Sequence, residues 1–200
     1  LGWSATWAFR MAGRTAQNID KFNWDQLFLT LPLKSLPEAG GKDIPYFLDW
    51  VSHPLYDDYW KRLAIKERYG DVKIPVLQVG GWYDFFTGGT LRNFVGMRAR
   101  GGSELARKNQ RAIVGPWVHA ASTETHAGEV DFGKESVLDL YKAELRWFDH
   151  WLKGVPNGAD EDPPLQIFVM GINRWREEHE WPLARTEFTP YYIHLSLIHI

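Results

Sequence analysis

The sequence predicts an α/β fold with a parallel sheet, and three observations predict it. A short β-branched run at residues 74–79 ends in Gly80-Gly81, residues 87–100 carry apolar side chains at helical spacing, and a second run at residues 110–114 stops at Gly115-Pro116. Strand, helix and strand within about forty residues form a βαβ unit, whose crossover helix implies a parallel sheet covered on both faces.

Composition agrees with a packed domain. Of 200 residues, 44% are hydrophobic and 24% charged, the balance of an ordinary globular chain. The longest apolar run falls far short of the ~18 residues of a membrane span, so no membrane partner is expected. The 11 Trp demand a large core or a ring-lined pocket. A net charge of −2 supplies no basic stripe for nucleic acid. With Cys 0, a thiol nucleophile, a disulfide framework and a Cys-ligated metal are excluded. No cofactor or metal is expected, and compartment and homo-oligomerisation stay open.

From residue 1 to about 70, Pro32, Pro37, Gly40-Gly41, Pro45 and Pro54 punctuate a Trp-rich stretch that suits short helices and loops. Residues 47–51 and 56–69 have helical spacing, with Gly70 as the expected C-cap. The strand at 74–79 reads as buried and parallel. In the helix that follows, Leu91, Phe94, Val95 and Met97 share a side and Gly101-Gly102 ends it. A long helix is expected over about 135–153, with Leu138, Tyr141, Leu145, Phe148 and Leu152 packing on the sheet. The acidic, Pro-rich stretch 157–164 reads as a linker and domain boundary. Residues 165–170 and 190–194 read as the opening strands of an all-β domain.

Leu1-Gly2-Trp3-Ser4 lacks an initiator Met, a cationic n-region and a cleavage site, so the chain is expected to come from inside a longer one. The last six residues, 195–200, resemble a translated sequencing adapter and are expected to be a non-native tail.

Chemistry concentrates just past the two strands. Asp84 follows the first and His119 follows the second, both at carboxyl ends, where open α/β sheets bind ligands. A carboxylate beside an imidazole fixes its tautomer and stabilises the imidazolium when the His acts as general base. In α/β-hydrolases the chain order is Ser, acid, His, and the last two appear here in that order. On spacing alone, a turn Asp and an ordinary surface His explain the two residues equally well.

Three longer motifs go further. Gly81-Trp82-Tyr83-Asp84-x-Phe86, then Gly115-Pro116-Trp117-x-His119, then Phe168-Val169-Met170-Gly171-Ile172-Asn173-x-Trp175-Arg176 closely resemble the cocaine-esterase-like (CocE/NonD) serine hydrolases and their X-Pro dipeptidyl-peptidase relatives. The resemblance runs in order from Trp3 to about Tyr192. It implies the C-terminal half of an α/β-hydrolase fold at 71–156. Part of a helical cap precedes it at 1–70, and the first strands of a β-sandwich (jelly-roll) domain follow at 163–194. It further implies that Asp84 and His119 are the triad acid and base, that Trp3 lines the acyl pocket and that Phe86 flanks the acyl group. The nucleophilic Ser and the oxyanion-hole Tyr would precede residue 1, leaving this chain alone inactive. Related α-amino acid ester hydrolases carry acidic residues two and three positions after the triad Asp. Here Phe86 and Thr87 occupy those positions, so that route to an α-amino substrate is not expected.

Ser4 almost fits Gly-x-Ser-x-Gly, but Thr6 replaces the final Gly and no strand precedes it, so it is not expected to be the nucleophile. His53-Pro54 with Asp57, Asp58 and Trp60 resembles a recurring cap motif of the family, and capping of a helix explains it as well as any chemistry. His126 and His179 sit near glutamates at spacings that fit no standard metal motif. His150 is assigned to a helix dipole, and Trp147 with Trp151 to a packing stripe. The expected substrate is a small ester, amide or short peptide, with X-Pro dipeptidyl-peptidase activity as the alternative. A Trp-rich module that binds carbohydrate or protein is the competing class.

Overall fold

The computed structural model describes residues 2–119 and 122–192. The chain divides into two compact units, Leu1–Ala64 and Ile65–Ile200. Their described parts are an all-helical unit and a unit built on a sheet.

The first unit contains α1 (Gly2–Arg10), α2 (Trp24–Leu27), α3 (Leu36–Ala39), α4 (Pro45–Ser52) and α5 (Asp58–Leu63). Asn23 caps α2 by accepting from the Gln26 amide at 3.1 Å, Pro45 occupies the first turn of α4, and Asp57 caps α5 through the Tyr59 amide at 3.0 Å. The core gathers Ala5, Ala8 and Phe9 of α1 with Leu27, Leu36, Ile44 and Phe47. Phe22 and Trp24 meet Phe9 edge-on, with centroids 5.2 and 5.4 Å away. The helix expected over 56–69 is shorter: α5 ends at Leu63, and 3₁₀ turns follow at Ile65–Glu67 and Tyr69–Asp71, so Gly70 is not a C-cap. Tyr69 explains the break. It is buried and donates its hydroxyl to Asn93 at 2.9 Å, a tertiary anchor that outweighs local helix propensity.

In the second unit β1 (Val76–Gly81) leads into α6 (Thr87–Arg100), α7 (Glu104–Lys108) and β2 (Gln110–Gly115). A hairpin of β3 (His126–Ala127) and β4 (Val130–Asp131) follows, then α8 (Leu140–Lys153), β5 (Leu165–Val169) and β6 (Arg174–Glu178). The sheet order is β1-β2-β5-β6. β1, β2 and β5 run parallel, and β6 returns antiparallel. On one face Leu91 and Phe94 of α6 pack with Ala112, Val114, Leu165 and Ile167. On the other, Ala143, Arg146 and Trp147 of α8 line a small cavity together with Leu77 and Ile113. Both faces are covered, as a parallel sheet requires.

Expectations for α8, the acidic stretch and the last strands are corrected. α8 begins at Leu140, after a 3₁₀ turn at Lys134–Ser136, because Asp139 caps it through the Lys142 amide. Its apolar stripe faces outward: Tyr141 is 85% and Leu152 76% exposed, whereas Trp147 is buried. Periodicity marks an apolar stripe but not which of two aromatic faces meets the sheet, and here the Ala143–Trp147 face does. Residues 165–170 do not open a separate β-domain. β5 extends the same sheet, with Leu165 opposite Ala112 and the Ala112 amide donating to Pro164 O at 2.8 Å. The acidic stretch before it is bound into this unit, since Asp162 pairs with Arg111 and Arg146. Residues 190–192 form no strand, while His194 and the expected tail at 195–200 lie outside the described residues.

Candidate active site

The carboxyl ends of β1 and β2 are tied together by their own backbone. The Trp82 amide donates to Gly115 O at 2.8 Å and the Tyr83 amide to Trp117 O at 3.0 Å. A Cβ on Gly81 would sit well under 3.0 Å from the Trp117 carbonyl oxygen, so only glycine allows this approach. Past it, the Asp84 amide closes a turn on Gly81 O at 2.9 Å, and the Thr87 hydroxyl donates to Asp84 O at 2.7 Å.

The loop after β2 is anchored by Trp117. Its ring is buried and packs against Trp175 with centroids 5.6 Å apart, and its indole N–H donates to Ser136 O at 2.8 Å. His119 follows two residues later. Its Nδ1 lies 2.9 Å from Asp84 Oδ2, while Asp84 Oδ1 accepts the Phe86 amide at 2.9 Å. Both carboxylate oxygens are therefore engaged, one fixing the Asp84 rotamer and the other facing the imidazole. Because a carboxylate only accepts, Nδ1 carries the proton and the basic lone pair belongs to Nε2. The Asp84 side chain is 10% exposed and that of His119 47%, which suits a shielded orienting acid and an accessible base.

Beside the pair lies a cavity of about 240 Å³, lined by Gly81, Asp84, Trp117, His119, Ser122 and Leu140 among others. Ser122 had no sequence signal: it follows neither a strand nor an elbow motif. Phe86 meets the His119 ring edge-on at 5.4 Å, so it stands beside that imidazole. Trp3 belongs to the helical unit, where with Thr6, Trp7, Arg10 and Ile19 it lines a mostly apolar cavity of about 210 Å³. Ser4 lies in the first turn of α1, which is helix and not a strand-to-helix elbow.

Three other histidines have local partners. His53 Nδ1 lies 2.6 Å from Asp57 and its ring stacks on Tyr59. The capping role expected for this cluster belongs to Asp57, whose carboxyl is held below the usual range chiefly by the His53 hydrogen bond. His126 Nε2 lies 3.7 Å from Asp131 within the hairpin, and His150 Nε2 lies 3.5 Å from Asp160. Among the described residues no three His, Asp or Glu side chains gather as a metal site. No helix among them is long and apolar enough to cross a membrane.

The model of the X-Pro dipeptidyl-peptidase (S15) family matches residues 4–121. Cocaine esterase from Rhodococcus sp. (strain MB1 Bresler) is 35% identical over 157 residues, covering 76% of this chain and 26% of that protein. An aminopeptidase from a marine sediment archaeon, Thaumarchaeota archaeon, superposes with a TM-score of 0.70 at 20% identity over 91% of this chain and 31% of its own. An α-amino acid ester hydrolase superposes with a TM-score of 0.58 at 22% identity over 74% of this chain and 25% of its own. The chain thus spans about a quarter of the length of the curated relative it matches. The two superpositions, both at low identity, establish likeness of fold.

Proposed function

This chain belongs to the X-Pro dipeptidyl-peptidase (S15) family, and on that premise we propose that it carries the acid and the base of a serine hydrolase. The reaction is acyl transfer from an ester or amide to water. One observation carries the reading: the 2.9 Å contact of Asp84 with His119 Nδ1 at the carboxyl ends of two adjacent parallel strands. In the proposed cycle His119 Nε2 takes the proton of a serine hydroxyl as its oxygen attacks the acyl carbon. It then gives that proton to the leaving alcohol or amine as the acyl–serine ester forms. Water repeats the sequence and releases the acid. Asp84 keeps its charge throughout and stabilises the imidazolium.

In this reading the serine and the oxyanion donors are contributed by sequence outside this chain, with Ser4 and Ser122 assigned no nucleophilic role. We read the helical unit as part of a cap, and Phe86 as an aromatic contribution to the acyl pocket. Ester or amide substrates with uncharged acyl groups are favoured, because Phe86 and Thr87 offer a substrate ammonium no carboxylate. The S15 family description supports dipeptides ending in Pro as the second reading.

The test compares three proteins on p-nitrophenyl esters. The isolated 200-residue chain is inert, the full-length protein turns over, and His119→Ala in the full-length protein abolishes turnover. Hydrolysis by the isolated chain that disappears in Ser4→Ala or Ser122→Ala would transfer the nucleophile to that serine.

A further inference from the structure

Each member of the Asp84–His119 pair follows a docked tryptophan. Trp82 lies two residues before Asp84 and donates its indole N–H to Phe168 O at 2.7 Å. Trp117 lies two residues before His119 and donates to Ser136 O at 2.8 Å. A third indole, that of Trp175, donates to Glu135 O at 2.7 Å. Two adjacent carbonyls of the 3₁₀ turn Lys134–Ser136 thus hold Trp175 and Trp117, whose rings meet with centroids 5.6 Å apart.

Phe168 and Trp175 belong to the third sequence motif and stand opposite each other where β5 pairs with β6. Trp175 meets Phe168 edge-on at 5.4 Å, Phe168 meets Phe132 edge-on at 6.1 Å, and Phe132 packs at 5.8 Å on Tyr83, the neighbour of Asp84. A continuous line of rings therefore joins the loop of Asp84 to the loop of His119. Trp117 is where it reaches His119. Its ring lies on Gly115, where a Cβ would sit well under 3.0 Å from the indole, and its carbonyl accepts the Tyr83 amide at 3.0 Å. Trp117, Phe132 and Phe168 are all buried, and in a close-packed interior none of these rings shifts without moving its neighbours.

An acid–base pair works only when its members are held to within about 0.5 Å, by neighbours whose own rotamers are locked through packing and hydrogen bonds. The loop after β2 meets that demand at Trp117, and Trp175 is the ring that closes the far side of Trp117. We propose that Trp175 is a positioning residue for His119: through Trp117 and the turn Lys134–Ser136 it fixes the loop in which His119 Nδ1 faces Asp84. Trp175 is itself only partly buried, so removing its N–H while keeping an aromatic ring opens no cavity at the centre of the core. The consequence for catalysis rests on the proposed hydrolase function, whereas the consequence for the imidazole does not.

The test reads the tautomer of the neutral His119 ring, by long-range 1H–15N NMR correlations on the 200-residue chain, with the signals assigned through His119→Gln. Wild-type His119 is expected in the Nδ1–H form that the Asp84 carboxylate selects. Trp175→Phe, which keeps a ring and removes the N–H, should turn most of His119 over to the Nε2–H form. Gly115→Ala presses on the Trp117 ring from its other side and should do the same. Trp147→Phe removes a buried indole of α8 and should leave the tautomer as in the wild type. An unchanged His119 in Trp175→Phe overturns the proposal, as does an equal change in Trp147→Phe. Should Trp175→Phe fail to fold, Gly115→Ala decides in its place. A wild-type His119 in the Nε2–H form overturns the proposal together with the acid–base reading of the pair. In a full-length protein with the proposed ester turnover, Trp175→Phe should lower kcat about tenfold and leave KM within about twofold. Absence of ester turnover there would sink the hydrolase reading and leave the tautomer result standing.

Discussion

The imidazole of His119 lies nearly face to face with the ring of Phe85, with centroids 5.7 Å apart and planes 26° from parallel. Phe86 meets the same imidazole edge-on, and Asp84 holds its Nδ1. An imidazole at the mouth of a cavity is thus oriented by one hydrogen bond and two rings. Such aromatic pairs contribute about 0.5–1.5 kcal/mol, so if the full-length protein has the proposed ester activity, Phe85→Ala should lower its kcat about two- to tenfold. Phe85→Tyr keeps the stack and should keep the rate. An unchanged kcat in Phe85→Ala would make Phe85 a bystander.

The approach of Gly81 to the Trp117 carbonyl sets a second expectation. In Gly81→Ala the new Cβ would collide with a backbone oxygen, whereas in Gly80→Ala it would touch the Thr90 side chain at an ordinary 3.4 Å. Gly81→Ala should cost about 1–3 kcal/mol by overpacking and pull Asp84 away from His119. Gly80→Ala should be far milder. Urea unfolding of both variants checks this, and equal losses would show that the backbone approach is not the constraint.

How legible this geometry is depends on where the information lies. β1, α6 and β2 are spelled out locally, by β-branched runs, apolar spacing and glycine stops. Asp84 and His119 could be placed because each follows a strand end directly, and the register of Gly81 opposite Gly115 brings those ends level. The partner of β5 was not legible, since an apolar run does not say which sheet edge it joins. The inward face of α8 was hidden for a related reason. Its inward side includes the half-exposed Arg146, a residue that periodicity assigns to solvent and that pairs with the Asp162 carboxylate. Ser122 and the Phe85 stack depend on loop conformation alone, which no spacing rule describes.

Acid should act on β6 through Glu178. A hydrogen bond from Arg185 holds its carboxyl below the usual range, burial opposes this, and the Arg185 and Arg176 charges add to the lowering. A folded-state pKa below the unfolded one stabilises the fold above the unfolded value, and the contribution is lost as pH falls through the folded value. Glu178→Gln should therefore destabilise the chain at pH 7, by at most about 1 kcal/mol given the exposure of both arginines. The difference should shrink as pH falls below the ordinary glutamate range and through the lowered pKa of Glu178. Urea midpoints for the two proteins across that range check the sign, and a gap that widens in acid would refute it.

Phe86 links the proposed base to substrate choice. Its ring is exposed at the N-terminus of α6 and stands edge-on to His119 at 5.4 Å, so an acyl group held for attack beside His119 passes close to it. A phenyl wall stabilises a flat acyl group by burial and by ring contacts of about 0.5–1.5 kcal/mol, and an acetyl group offers no ring for the second of these. In the full-length hydrolase, Phe86→Ala should lower kcat/KM for a benzoyl ester by about three- to tenfold more than for an acetyl ester, the factor that energy implies. Equal losses on both would make Phe86 structural, a cap on α6 and a support for His119 with no part in specificity. Faster turnover of free-amine dipeptides ending in Pro than of either ester would instead move the substrate to the peptidase side of the family, with a carboxylate from outside this chain meeting the ammonium that Phe86 and Thr87 leave uncompensated.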